Sequence, residues 1–220
     1  MTVLFRDRED AGRRLAGKLH EFAGRRDVIV LALPRGGVPV GFAVAEALGV
    51  PLDVFLVRKL GVPGQEELAM GAVASGGVRY INSEVVRELG ILPEEIDRVA
   101  TAEQQELDRR DRLYRDGRPA PNAHGKTVIL VDDGLATGST MRAAAKALRL
   151  EEPAAIVVAV PVAASVTCDL LRSEVEHVVC AAMPQPFFAV GQWYADFSQT
   201  TDEQVRELLR RAHARFPNAA

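Results

Sequence analysis

The sequence predicts an α/β protein: one domain over residues 1–220, built on a parallel sheet with helices on both faces. Three observations carry this. The runs Val28-Ile-Val-Leu-Ala-Leu33, Val128-Ile-Leu-Val131 and Ala154-Ala-Ile-Val-Val-Ala-Val160 are continuously apolar, as strands buried on both faces are. Segments of helical periodicity alternate with them, the pattern of parallel crossover units. The chain is 48% apolar and 26% charged, the balance of a globular domain with a sizeable core.

Taken in order, Asp7 to about Gly24 reads as an amphipathic helix, with Ala11, Leu15, Leu19 and Phe22 on one face. The strand 28–33 follows, then a helix from Val38 to Leu48 with Pro39 in its first turn, where proline is tolerated. Pro51 to Val57 is the next strand. Residues 60–67, Leu-Gly-Val-Pro-Gly-Gln-Glu-Glu, suit an irregular, flexible stretch better than a regular element. Residues 68–74 and 78–81 form a hairpin around Ser75-Gly76-Gly77, and Asn82 or Ser83 caps a short helix ending at Leu89. Pro93 to Tyr114 is a long helix. Its cluster of arginines is interleaved with Asp108, Asp111 and Asp116, which favours a solvated face or a homodimer contact over a nucleic-acid patch. After the strand 128–131 come a helix from Met141 to Arg149, the strand 154–160, a helix from Ala163 to Arg172, the strand 175–180 and a last helix from Thr201 to about Phe216.

Charge and composition exclude several classes. A net charge of −3 and a pI near 5.9 give no global attraction to nucleic acid. No apolar run approaches the roughly 18 residues of a membrane helix, and the charged opening stretch does not read as a secretory signal. Cys168 and Cys180 lie in separate segments, with neither metal spacing nor a disulfide framework. A cytoplasmic protein without membrane contact is expected.

The chemistry is concentrated at strand ends. Val128-Ile-Leu-Val is followed by Asp132-Asp133 and then by Gly134-Leu135-Ala136-Thr137-Gly138-Ser139-Thr140, which opens a helix. A helix amino terminus offers unpaired N–H groups to an anion, the hydroxyls add donors, and Gly138 lets the backbone approach closely. This is a phosphate cradle beside two carboxylates. Pro34-Arg35-Gly36-Gly37 ends the first strand, where two glycines can turn N–H groups toward an anion that Arg35 grips. Arg58-Lys59 places a cationic pair at the end of another strand, aimed at the same crevice. Residues 183–200 gather Phe187, Phe188, Trp193, Tyr194 and Phe197, either an aromatic mini-core or a surface on which a planar base stacks. Gly125-Lys126-Thr127 is not a triphosphate-binding loop, because it precedes its strand and lacks the earlier glycine. A hydrolase elbow is also absent, since Ala136 occupies the nucleophile position of Gly134-Leu-Ala-Thr-Gly138.

Four apolar residues, two acids and Ala-Thr-Gly-Ser-Thr at 136–140 together resemble the phosphoribosyl-diphosphate (PRPP) motif of type I phosphoribosyltransferases. The resemblance implies that fold with a small hood at 183–200, a mobile lid at 59–67, and transfer of a 5-phosphoribosyl group from PRPP to a nitrogenous acceptor with release of pyrophosphate. It implies that Asp132 and Asp133 act on the ribose, directly or through Mg2+, as the catalytic pair. Ala136, Thr137, Gly138, Ser139 and Thr140 would hold the 5-phosphate, and Arg35, Gly36, Gly37, Arg58 and Lys59 the pyrophosphate. Phe188 would stack on a base near Val190. It further implies a non-proline cis peptide in the first loop, expected at Arg35–Gly36. Ala136 stands where 6-oxopurine enzymes carry an aspartate, as in the adenine branch, whereas the Phe-x-Val-Gly run at 188–191 leans toward the other purine enzymes. The acceptor, and the roles of Asp196, Glu66 and Glu67, stay open. A PRPP-binding regulator without turnover is the alternative.

Overall fold

The computed structural model describes residues 3–216, apart from the Glu67 side chain. Five strands, β1 (Val28–Ala32), β2 (Leu52–Val54), β6 (Thr127–Val131), β7 (Ala155–Val162) and β8 (His177–Ala182), form an all-parallel sheet in the order β2-β1-β6-β7-β8. Both faces are covered by helices, so the central strands are apolar throughout, and Val128, Ile129, Leu130 and Val131 have no exposed surface. Burying each such side chain stabilises the fold by about 1.5–3 kcal/mol. The register aligns the strand exits. Ala32 of β1 pairs with Val131 of β6, which pairs with Ala159 of β7. The turns that follow β1 and β6 therefore leave the sheet side by side, at the carboxyl edge where open α/β sheets bind ligands.

The helices are α1 (Arg8–Ala16), α2 (Gly37–Leu48), α3 (Ser83–Leu89), α4 (Pro93–Arg115), α5 (Ser139–Arg149), α6 (Ser165–Leu171) and α7 (Asp202–Arg215). Asp7, Asn82 and Thr201 cap α1, α3 and α7 by accepting from their first-turn N–H groups. The first helix is shorter than its periodicity predicts. It stops before Gly17, and one 3-10 turn at His20–Phe22 still buries Leu19 and Phe22.

The largest departure from expectation lies at residues 51–67. The strand ends at Val54: the Phe55 N–H still donates to Ala32 of β1 at 3.0 Å, but the Val54 carbonyl and both Leu56 backbone groups are bonded elsewhere. The buried Arg115 donates to the Val54 carbonyl at 2.8 Å, and Ser75 exchanges bonds with Leu56, through its hydroxyl at 3.1 Å and its N–H at 2.9 Å. The chain then leaves for a second, antiparallel sheet of β3 (Val57–Val62), β4 (Gln65–Ala74) and β5 (Val78–Ile81). The stretch expected as an irregular loop at 59–67 is thus a hairpin whose turn is Pro63–Gly64, with Gly64 in the left-handed region. Cys168, buried in α6, and Cys180, on β8, are both free thiols. Among the described residues no helix is long and apolar enough to cross a membrane.

Candidate active site

Three turns meet at the carboxyl edge of the sheet. The first carries Asp132 and Asp133, directly after β6. The second, Pro34 to Gly37, lies against it, and its two glycines match the two acids. A methyl group at Gly36 would stand 2.0 Å from Asp133 Oδ2, and one at Gly37 would stand 3.2 Å from Asp132 Oδ1 and 2.8 Å from the Val131 carbonyl. Only residues without a Cβ allow this approach. The loop contains a non-proline cis peptide, at Pro34–Arg35 and not at Arg35–Gly36 as expected. Gly36→Ala should therefore displace the loop or Asp133. Thermal melting should show a loss of about 1–3 kcal/mol of stability, the cost of overpacking, and an unaltered melting temperature would contradict this packing.

The third turn runs from Gly134 to Thr140. Leu135 anchors it to β7: its N–H donates to the Val162 carbonyl at 2.9 Å and its carbonyl accepts from Ala164 at 3.0 Å. Thr167 of α6 braces it from below, its hydroxyl donating to the Ala136 carbonyl at 2.5 Å. Gly138, the residue before α5, has φ +71°, and a methyl there would lie 2.5 Å from the Thr167 methyl group. Glycine is thus required on two counts. Ala136, Thr137, Ser139 and Thr140 are exposed at the start of α5, with the Thr137 and Ser139 hydroxyls 3.4 Å apart. An exposed helix amino terminus surrounded by hydroxyls can bind a phosphate.

Both carboxylic acids are held above the ordinary carboxylate range. Burial is the main cause for each. The neighbouring charge of Asp133 raises Asp132 further, whereas Arg8 opposes the shift at Asp133. Asp132 Oδ1 also accepts from the Asp133 N–H at 2.8 Å. Arg8 escaped sequence reasoning. Its Nε donates to Asp133 Oδ2 at 2.8 Å, its Nη1 donates to the Ser198 carbonyl at 2.7 Å, and its guanidinium lies 4.0 Å from the centre of the Phe197 ring. The one local sign was a cation in the first turn of a helix, where it opposes the helix dipole. Tyr194 was also missed as a site residue. Its hydroxyl donates to the Asp133 carbonyl at 2.6 Å, and burial pushes its pKa up.

The other expected residues are dispersed. Arg35 stands 3.8 Å from Asp202 of α7. Arg58 and Lys59 do not close a core strand; they lie inside β3, where successive side chains point to opposite faces, so they do not enter one crevice together. Arg58 donates to Glu103 of α4 at 2.5 Å. In the 183–200 segment, Trp193, Tyr194 and Phe5 form a small core that Phe187 and Val190 pack against. Phe188 stands apart, 71% exposed. Val190 packs over Gly134, where a methyl group would come within 2.5 Å of its Cγ1. Asp196 accepts from the Ser198 N–H at 2.9 Å and so shapes the turn that presents the Ser198 carbonyl to Arg8. Glu66 is exposed, and the Glu67 side chain lies outside the described residues. Among the described residues no group of three or more His, Cys, Asp or Glu could hold a metal ion by itself. The paired carboxylates suit a cation that takes most of its oxygens from a substrate.

Comparison with known proteins identifies the family. The family model described as the phosphoribosyl transferase domain matches residues 5–182. Two Mycobacterium tuberculosis proteins, from strains CDC 1551 and H37Rv and each named "Putative phosphoribosyl transferase", are 46% identical over 216 residues, which is 98% of this chain and 48% of theirs. The chain thus spans about half the length of the curated relatives it matches. The crystal structure of TT1426 from Thermus thermophilus is similar at 42% identity with a TM-score of 0.87, covering 95% of this chain and 99% of that one. The extent of the family match, with the 46% identity over nearly the whole chain, means that this protein belongs to the phosphoribosyl transferase domain family.

Proposed function

We propose that the chain transfers a 5-phosphoribosyl group from PRPP to a nitrogen of a small planar acceptor, a nucleobase, with release of pyrophosphate. The observation that carries this is the junction of two half-buried carboxylates with a glycine turn on one side and a hydroxyl-lined helix amino terminus on the other. Those are the recognition needs of one molecule with a phosphate at one end, a ribose in the middle and a diphosphate at the other.

In this assignment the first-turn N–H groups of α5 and the hydroxyls of Thr137, Ser139 and Thr140 hold the 5-phosphate, at the backbone of Ala136 to Gly138. Asp132 and Asp133 face the ribose and favour the positive charge that develops as the bond to the diphosphate breaks. The amides of Gly36 and Gly37, with Arg35, receive the departing diphosphate. Arg58 and Lys59 could join them only if the β3–β4 hairpin moves, which is the form a lid takes here. Phe188 offers an exposed ring for the acceptor beside Val190. Mg2+ would be held chiefly by substrate oxygens with help from Asp132 and Asp133, and would supply neutralisation of the diphosphate charge.

The test is pyrophosphate release from PRPP and Mg2+ with adenine, hypoxanthine, guanine, xanthine, uracil and orotate in turn. Release with one base is expected and would identify the acceptor. PRPP binding by calorimetry with no release from any of them would favour the regulator. Absence of both would overturn the assignment.

A further inference from the structure

The acid pair is not symmetric. Among the described residues Asp133 is tied to a cation and Asp132 is not, and the cation comes from an element outside all three turns of the site. Arg8 stands in the first turn of α1, yet its guanidinium is fixed at three points: Asp133 Oδ2 at 2.8 Å, the Ser198 carbonyl at 2.7 Å and the Phe197 ring at 4.0 Å. The side chains of the ion pair are only 12% and 14% exposed, so water screens little of the interaction. The pair also lies beneath the glycine turn, where a methyl at Gly36 would come within 3.3 Å of Arg8 Nε. Tyr194 holds the Asp133 carbonyl at 2.6 Å, and its ring lies 5.0 Å from that of Phe197, which itself packs under Gly191. The side chain and the main chain of Asp133 are thus both gripped by the segment 191–198, the side chain through Arg8.

Resting on the activity proposed above, we infer that Arg8 is a positioning residue: it fixes the Asp133 carboxylate at the reacting sugar and ties that carboxylate to the segment that presents Phe188 and Val190 to the acceptor. Arg8 touches no substrate in this scheme. Its guanidinium fork suits three fixed partners at once, which a lysine ammonium on its flexible stem satisfies only in part. An Arg8 variant should therefore lose rate while keeping its grip on PRPP. The phosphate and diphosphate turns, which supply most of that grip, are built without it.

A double-variant cycle tests this, with Arg8→Met, Asp133→Asn and their combination read for kcat, for KM toward PRPP and for PRPP affinity by calorimetry. We expect Arg8→Met to lower kcat about 10²-fold, within the range for loss of one preorganised electrostatic contact. KM and affinity for PRPP should stay within about threefold, with Arg8→Lys recovering part of the rate. On the Asp133→Asn background, Arg8→Met should cost less than about threefold more, because its partner has already gone. Equal losses on both backgrounds would overturn the inference and make Arg8 a structural residue. So would a kcat unchanged by Arg8→Met, or a PRPP affinity that falls in parallel with rate. If the unaltered chain binds PRPP without turnover, the activity reading fails and the coupling is read on melting temperature, where equal losses from Arg8→Met on the unaltered and the Asp133→Asn backgrounds would overturn it. An unaltered chain that neither binds nor turns over PRPP overturns both.

Discussion

Replacing Asp132 and Asp133 together by asparagine is expected to remove pyrophosphate release altogether while leaving the fold intact. In the proposed reaction each carboxylate is preorganised at the point where positive charge develops, and losing one such contact costs on the order of 10²–10³ in rate. The substitution is nearly isosteric, so the packing against Gly36 and Gly37 survives. Rate by a coupled pyrophosphate assay and helix content by circular dichroism are the two measurements, and an unimpaired rate would remove these residues from the site. The single variant Asp132→Asn carries a second expectation. A carboxyl whose folded-state pKa is raised stabilises the fold below its unfolded-state pKa and loses that contribution as pH rises through the folded value. Asp132 is raised by burial and by Asp133, so at pH 7 it subtracts from stability. Asp132→Asn should melt higher than the unaltered chain at pH 7, with the gap closing on acidification. A lower melting temperature at pH 7 would mean that Asp132 is needed for the fold.

Arg115→Ala should be the most damaging single change to stability. The Arg115 side chain is 1% exposed. It lies 3.4 Å from Asp53, pairs with Asp111, and holds the Val54 carbonyl at the point where the chain passes from one sheet to the other. Burial already raises the Asp53 acid against the opposing charge of Arg115, so removing the cation strands a carboxylate that is only 16% exposed. Breaking a buried pair in this way costs about 3–5 kcal/mol, a large part of the roughly 5–15 kcal/mol that holds a domain together. The melting temperature should fall by about 6–20 °C. Asp53, raised in the folded state, stabilises below its unfolded-state pKa and loses that as pH rises. The deficit should therefore shrink on acidification, and Asp53→Asn should recover part of it at pH 7. A melting temperature within about 2 °C of the unaltered chain would refute this role.

What sequence disclosed and what it withheld separate along one line. The β6 strand, the acids, the hydroxyl turn and α5 are consecutive, and each is specified by its own neighbours, so their order and their place at a strand end were legible. The glycine turn after β1 was legible for the same reason, though not the carboxylate each glycine admits. The break after Val54 was not legible, because its cause, Arg115, lies 61 residues away. The partner that holds Arg58 on β3, Glu103, lies 45 residues on and was not legible either. Arg8 meets Asp133 across 125 residues, and nothing beside either announces the other. Local chemistry can be read from a string; a contact whose halves lie in different elements becomes visible only when the fold brings them together.

The seam between residues 4–6 and 193–196 bears on how the chain matures. Leu4 and Phe5 donate to the Trp193 carbonyl, each at 3.0 Å, and the Phe5 carbonyl accepts from Ala195 at 2.8 Å. During synthesis all five parallel strands have emerged once Ala182 leaves the ribosome, yet Phe5 and Val162 still lack the Trp193 and Tyr194 that cover them. A nascent chain at that stage owns a sheet with an apolar face open to chaperones or to aggregation. Arg8 must wait for Ser198, 190 residues farther on, before Asp133 is gripped from both sides. The tie between Arg8 and the 191–198 segment is therefore the last part of the acid pair's surroundings to form.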